Sequence, residues 1–140
     1  MIRTDESGGK SLKELRKIEQ QEKEKELRVK CEALAFERYG EEKIKQLTNK
    51  YKGLFYLPIL GDDEETIEKM AVLKPIDRHI LSYASTKIDD DGLYEFLGAV
   101  LKSCWLEGDM EIQEDDNYFI PACQNINSLM KGKKAYLVKR

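Results

Sequence analysis

The chain is poor in the residues from which catalytic and metal centres are usually built. It holds a single histidine, His79, in 140 residues. Its three cysteines, Cys31, Cys104 and Cys123, lie far apart with no Cys-x-x-Cys pair. A zinc site would have to draw all four ligands from four scattered positions, unlike the paired spacing that structural zinc uses. An odd number of cysteines in apolar stretches argues for reduced, buried thiols rather than a disulfide frame, and so for a cytosolic compartment. The same burial argues against a Cys/His nucleophilic pair, because a thiol in apolar surroundings stays protonated. No run approaches the 18 or so apolar residues of a membrane helix. The opening Met1 to Gly9 stretch has no apolar core of a secretory signal. The expectation is a chain neither exported by that route nor spanning a membrane. Gly-x-x-x-x-Gly-Lys-Ser/Thr and Gly-x-Gly-x-x-Gly are both missing, which removes the common phosphate cradles. A strongly basic balance is missing too: the net charge is −3, and phosphate-backbone binding normally needs a positive field.

What is present is charge mixed with enough apolar surface for one core. Charged residues make up 36% and hydrophobic ones 41%, with a mean hydropathy of −0.62. Such a chain folds in part and stays solvated in part. Its length suits one domain with an appendage. Residues 1–50 carry 13 Lys/Arg against 11 Asp/Glu, and residues 51–140 carry 11 against 16, a mild polarity.

The pattern predicts a helix-dominated α+β fold: a long N-terminal helix, one β-hairpin, then about three C-terminal helices packed on it. Residues 1–10 offer nothing to bury and read as a flexible tail. Ser11, with Glu14 three residues on, opens a helix that Gly40 stops. The stretch Glu19 to Glu26 is polar all round and reads as solvated helix. Leu27, Cys31 and Leu34 then share one face with Ala35 and Phe36 beside it, so docking or self-association begins there. The division expected is a charged helical arm over 11–40 and a compact domain over 41–140.

Ile44, Leu47 and Tyr51 mark a short amphipathic helix ended by Gly53. Leu54 to Leu60 and Thr66 to Lys74, joined by Gly61-Asp62-Asp63-Glu64-Glu65, read as a hairpin. Pro58 has no N–H to give a ladder, so its strand is an edge or is bulged. A lone hairpin is barely stable and must lie on helices or on a partner's strand. Ile76, Ile80, Tyr83 and Ala84 fall at helical spacing. Leu93 to Leu106 is the most apolar helix, with Asp89-Asp90-Asp91 favoured at its start by the helix dipole, Gly108 as its cap and Trp105 in the core. An acidic loop, Asp109 to Asp116, leads to a last helix capped by Asp116 or Asn117. Its stripe is Phe119, Cys123, Ile126, Met130 and Leu137, and Pro121 lies in its first turns or kinks it.

Carboxylates are plentiful but badly framed for chemistry. Taking Gly92 as the sixth residue of a calcium loop puts Lys87 first and Gly98 twelfth, where carboxylates are required. The carboxylates from Glu107 to Asp116 match no metal or glycosidase spacing and read as a solvated, capping loop. Lys131-Gly132-Lys133-Lys134 is a basic turn of helix, with Tyr136 as its sole neighbouring aromatic, which is thin support for a nucleic-acid site. The expectation is no catalytic residue, no metal and no cofactor.

Three stretches carry a resemblance: Lys50-Tyr51-Lys52-Gly53-Leu54-Phe55-Tyr56; Leu73-Lys74-Pro75-Ile76-Asp77-Arg78; and Cys104-Trp105-Leu106-Glu107-Gly108-Asp109-Met110-Glu111-Ile112 with Asp115-Asp116. Over about Glu42 to Arg140 the chain resembles small tailed-bacteriophage morphogenesis proteins, tail-assembly chaperones among them. The resemblance implies a chaperone-like, non-enzymatic factor that holds a phage structural or tail protein in the host cytoplasm. The long charged arm departs from such compact proteins and keeps a structural virion component open. An acidic decoy or regulator of a nucleic-acid enzyme, acting through Asp62 to Glu65 and the Asp109 to Asp116 loop, is a further alternative. The residues expected to meet a partner are Leu27, Leu34, Phe36, Phe55, Leu57 and Ile59, through an exposed hairpin edge and an arm able to enter a groove or a helical bundle, homo-oligomers included.

Overall fold

The computed structural model describes residues 11–87, 92–130 and 135–140. Within them lie six helices and one three-stranded antiparallel sheet of order β1-β2-β3. The helix-dominated α+β architecture is as expected. The expected tail over 1–10, the Asp89 to Asp91 cap and the Lys131 to Lys134 turn lie outside the described residues.

Helix α1 spans Leu12–Tyr39. Ser11 Oγ accepts from the Glu14 N–H at 3.2 Å, satisfying one of the donors a helix start leaves over. Gly40 closes it at φ 93° and gives its N–H to the Phe36 carbonyl. That positive φ lets the chain turn directly into α2, Glu41–Tyr51, a conformation that costs any residue with a Cβ.

Strands β1 (Phe55–Leu60) and β2 (Ile67–Leu73) form the hairpin. Asp63 folds the turn: its carboxylate accepts from the Glu65 and Thr66 N–H groups, each at 2.9 Å, and from the Thr66 hydroxyl at 2.6 Å. Those three donors hold its pKa down, to about 2, because they favour the charged form.

The sheet separates two cores. Leu57, Ile59, Ala71 and Leu73 share a cluster with Ile80, Phe96, Val100, Cys123 and Ile126 of the C-terminal helices. Met70, one residue out of phase, joins Cys31, Ala35 and Ile44 of α1 and α2. Side chains alternate across a strand, so the period-2 register sends each set to its own helical layer. Met70, Ala71, Val72 and Leu73 are wholly buried, as a central strand covered on both faces requires.

The C-terminal layer consists of α3 (Arg78–Ser85), α4 (Leu93–Cys104), the short α5 (Glu111–Glu114) and α6 (Asp116–Leu129). Asp77 caps α3 by accepting from Ile80 N–H at 2.9 Å. Cys31, Cys104 and Cys123 are free and buried, and burial pushes each thiol up to about 11.

Four expectations are corrected. The core helix stops at Cys104, and Trp105–Gly108 is β3, pairing Ala71 with Gly108 and Leu73 with Trp105. The second side of β2 needs a ladder partner, which outweighs the helical spacing of Trp105 and Leu106. Gly108 is therefore a strand residue at φ 156°, where a Cβ would stand 2.7 Å from Ala71 Cα and 2.8 Å from Trp105. The acidic loop is not freely solvated. Asp109 accepts from Met70 N–H at 2.9 Å and from Arg38 at 3.0 Å, and Glu107 and Glu111 pair with Lys43 and Lys69. Desolvation pushes Asp109 up, but the Met70 N–H and Arg38 together outweigh it and its pKa falls below the usual range. The last helix begins behind Asp115, whose Oδ1 accepts from Asn117 N–H at 2.9 Å, and it ends at Leu129, leaving Leu137 out of the stripe.

The helix expected as an arm over 11–40 is exposed in its first half and packed in its second. The polar first half of α1 projects, whereas Cys31 and Ala35 belong to the folded body through Ile44 and Met70.

Candidate protein-binding edge

Among the described residues β1 pairs with β2 alone, so its other side is open. The register shows which groups it presents there. Met70 receives Asp109 N–H on its carbonyl and gives its own N–H to the Asp109 carboxylate, so both its backbone groups face the β3 side. Its partner on β1 is Pro58. The Pro58 and Met70 pair is therefore a non-hydrogen-bonded one, and the backbone of Pro58 points outward. Tyr56, two residues earlier and opposite Val72, points the same way. The open edge thus presents the N–H and carbonyl of Tyr56 and the carbonyl of Pro58. A bulge between Ile59 and Leu60 ends the regular stretch.

A groove of about 810 Å3 runs along this edge. Both helical layers overhang it: Leu27 of α1 stands on one side, and Tyr118, Pro121 and Asn125 of α6 on the other. Tyr118, Pro121 and Asn125 recur at helical spacing, which puts them on one face of α6. The charged lining residues are Asp62 and Glu68, at the hairpin-turn end. Tyr118 Oη donates to Glu68 Oε1 at 2.8 Å, fixing that wall to β2 and holding the phenol's pKa up. A smaller apolar recess of about 290 Å3 lies where Leu27 and Cys31 meet Leu54, Phe55 and Tyr56.

Four of the six residues expected to meet a partner converge here: Leu27, Phe55, Leu57 and Ile59 all line the groove. They do so differently. Phe55 is 42% exposed, while Leu57 and Ile59, at 7% and 9%, belong to the core and offer a partner only the floor beneath it. Leu34 and Phe36 lie elsewhere. Half-buried, they pack beside Cys31, Ala35, Ile44 and Met70, so part of their apolar surface goes to docking α1. Sequence reasoning missed Tyr118, Pro121 and Asn125, since the more apolar stripe through Phe119, Cys123 and Ile126 dominates that helix.

Among the described residues no three His, Cys, Asp or Glu side chains gather as a metal cluster, and no helix is long and apolar enough to cross a membrane. No family model matches the chain, and no curated protein or solved structure matches it.

Proposed function

We propose that the protein is a non-enzymatic protein-binding module that takes an extended segment of its partner onto the open edge of β1. The observation that carries this is the edge itself: main-chain groups unpaired among the described residues, at the bottom of a groove walled by Leu27 of α1 and by Asn117, Tyr118, Pro121 and Asn125 of α6. Main-chain bonds give affinity in strand addition, and flanking pockets give side-chain selectivity. The groove's charged groups, Asp62 and Glu68, bear on choice of partner rather than on proton transfer, since Glu68 is engaged by Tyr118.

The resemblance to small tailed-bacteriophage morphogenesis proteins supplies the setting: a chaperone-like role in tail assembly in the host cytoplasm, with a phage structural or tail protein as the partner held. The projecting, polar half of α1 favours a second reading as a permanent virion component, whose arm orders on a neighbour. Mass spectrometry of purified particles separates the two, because a chaperone is shed before maturation.

The binding reading is tested by selection from a random peptide library. Enriched sequences should be extended and apolar, and Tyr56→Pro, which removes an outward N–H and a ring packed on the α1 and α2 cluster but leaves the ladder to β2, should abolish their binding while the protein stays folded by circular dichroism. No enrichment, or binding indifferent to that substitution, overturns the reading.

A further inference from the structure

The groove has a matching segment within the same chain. Residues 135–140, Ala-Tyr-Leu-Val-Lys-Arg, form no regular structure, and Tyr136, Leu137 and Val138 are 79%, 106% and 87% exposed. Three consecutive large apolar side chains left in water constitute an unsatisfied surface, and aromatic and β-branched residues among them suit a strand. We propose that residues 135–140 of a second copy of this chain add as a strand to the β1 edge when no segment of another partner occupies it, an inference that rests on the strand-acceptor reading above.

Three features fit segment to groove. An added strand points successive side chains to opposite faces, and here one face meets the apolar Leu27 and the other meets Pro121 and the Tyr118 ring, flanked by Asn117 and Asn125. The charges match: Lys139 and Arg140 follow the apolar run directly, and Asp62 and Glu68 are the charged residues lining the groove, both at the Leu60 end. Placing the cations there makes the incoming strand parallel to β1. With Leu137 opposite Tyr56, the Tyr56 N–H donates to the Tyr136 carbonyl, the Val138 N–H donates to the Tyr56 carbonyl, and the Arg140 N–H donates to the Pro58 carbonyl. Pro58 offers no donor in return, which spaces these bonds and weakens the edge for longer, less specific strands.

The occupant is a second copy because the segment lies in the open in its own subunit. Reciprocal exchange closes at a dimer, and one-way donation gives open chains.

Light scattering of the full chain over a rising concentration series should show mass increasing above the monomer. Val138→Asp, at an exposed position outside every helix and strand, should keep the fold and return the protein to monomer. Tyr56→Pro should also give monomer from the acceptor side, and because the Tyr56 ring packs against the cluster of Cys31, Ala35, Ile44 and Met70, an unchanged far-UV circular dichroism spectrum accompanies the reading. Mixing the two variants should restore a dimer and no more, since one retains a sound edge and the other a sound segment. Raising ionic strength should weaken association by roughly five-fold, the effect of screening two exposed ion pairs. A labelled Ala-Tyr-Leu-Val-Lys-Arg peptide should bind the Val138→Asp protein and protect its Tyr56 amide from exchange. A monomer at all concentrations, a mixture that stays monomeric, or Tyr56 protected within an isolated subunit overturns the second-copy assignment. Library peptides that still bind at Tyr56 would then leave the broader reading intact, whereas failure of both peptides removes both.

Discussion

Replacing Pro58 with valine tests the register on which the open edge depends. In the fold the residue opposes Met70 in a non-hydrogen-bonded pair, so the new N–H points away from β2 and adds nothing to the ladder. The folded state loses only proline's restraint on the unfolded chain, about 0.4 to 1 kcal/mol. For a domain of this size that lowers Tm by roughly 1 to 3 °C. The edge meanwhile gains a donor at its centre. One net hydrogen bond to an added strand stabilises the complex by about 0.5 to 1.5 kcal/mol, or roughly 2- to 12-fold in affinity. The assays are thermal unfolding, titration with an edge-binding peptide, and hydrogen exchange of the amide that Pro58→Val introduces, which should be fast in the free monomer and slow in the complex. If that amide is already protected in the free monomer, with a higher Tm, the backbone at this position faces β2 and the assignment of the open edge falls.

Further outcomes follow from the core and the turn. Gly108→Ala adds a Cβ 2.7 Å from the Ala71 backbone at φ 156°, and the strain and overpacking together should cost about 2 to 5 kcal/mol in urea unfolding; Gly53→Ala, at φ 135° with nothing within 4 Å, should lose only the strain, and equal losses would refute the close approach of β2 and β3. Met70→Ala empties a wholly buried site beneath α1 and α2 and should cost about 2 to 5 kcal/mol; a loss below about 1 kcal/mol would show that α1 is not docked there. The Asp63 carboxyl should titrate at about 2 by carbon-detected NMR, and a value near that of an ordinary carboxylate would show that the turn bonds are not formed. Because its folded pKa lies below the unfolded one, the stability Asp63 contributes is complete above about pH 4 and is lost as pH falls towards 2; Asp63→Ala should flatten that stretch of the acid-unfolding curve.

Local chemistry was legible in the residue order. Ser11 with Glu14, Gly40, Gly53 and the Asp63 turn lie where the sequence reading puts caps and breaks, because a cap or turn is decided by neighbours within a few residues. The same holds for Pro58, whose missing N–H predicts either an edge or a bulge wherever the strand lies, and the strand is an edge. Leu57 and Ile59 show the limit. Alternation separates two faces of a strand but does not say which face is roofed by the chain's own helices, and both residues turned out to be floor rather than free surface.

Trp105 to Gly108 marks where local pattern and fold part company. Trp105 and Leu106 extend an apolar helical run for which Gly108 is the expected cap, yet the four residues become a strand because β2 has a second side to satisfy, a demand set by residues far earlier in the chain. Asp109 likewise reads as one of many acids until Arg38 and the Met70 N–H meet on it. The groove is the same kind of product, since Leu27, Pro58 and Tyr118 are far apart in the chain and only the stacking of two helical layers on one sheet makes them a single surface. The sequence by itself determined the long helix with its cap and stop, the hairpin and the proline on its rim, all settled by short-range sterics and hydrogen bonding. The tertiary structure alone decided which rim stays open and what walls it, because burial is a property of everything packed around a residue and not of the residue.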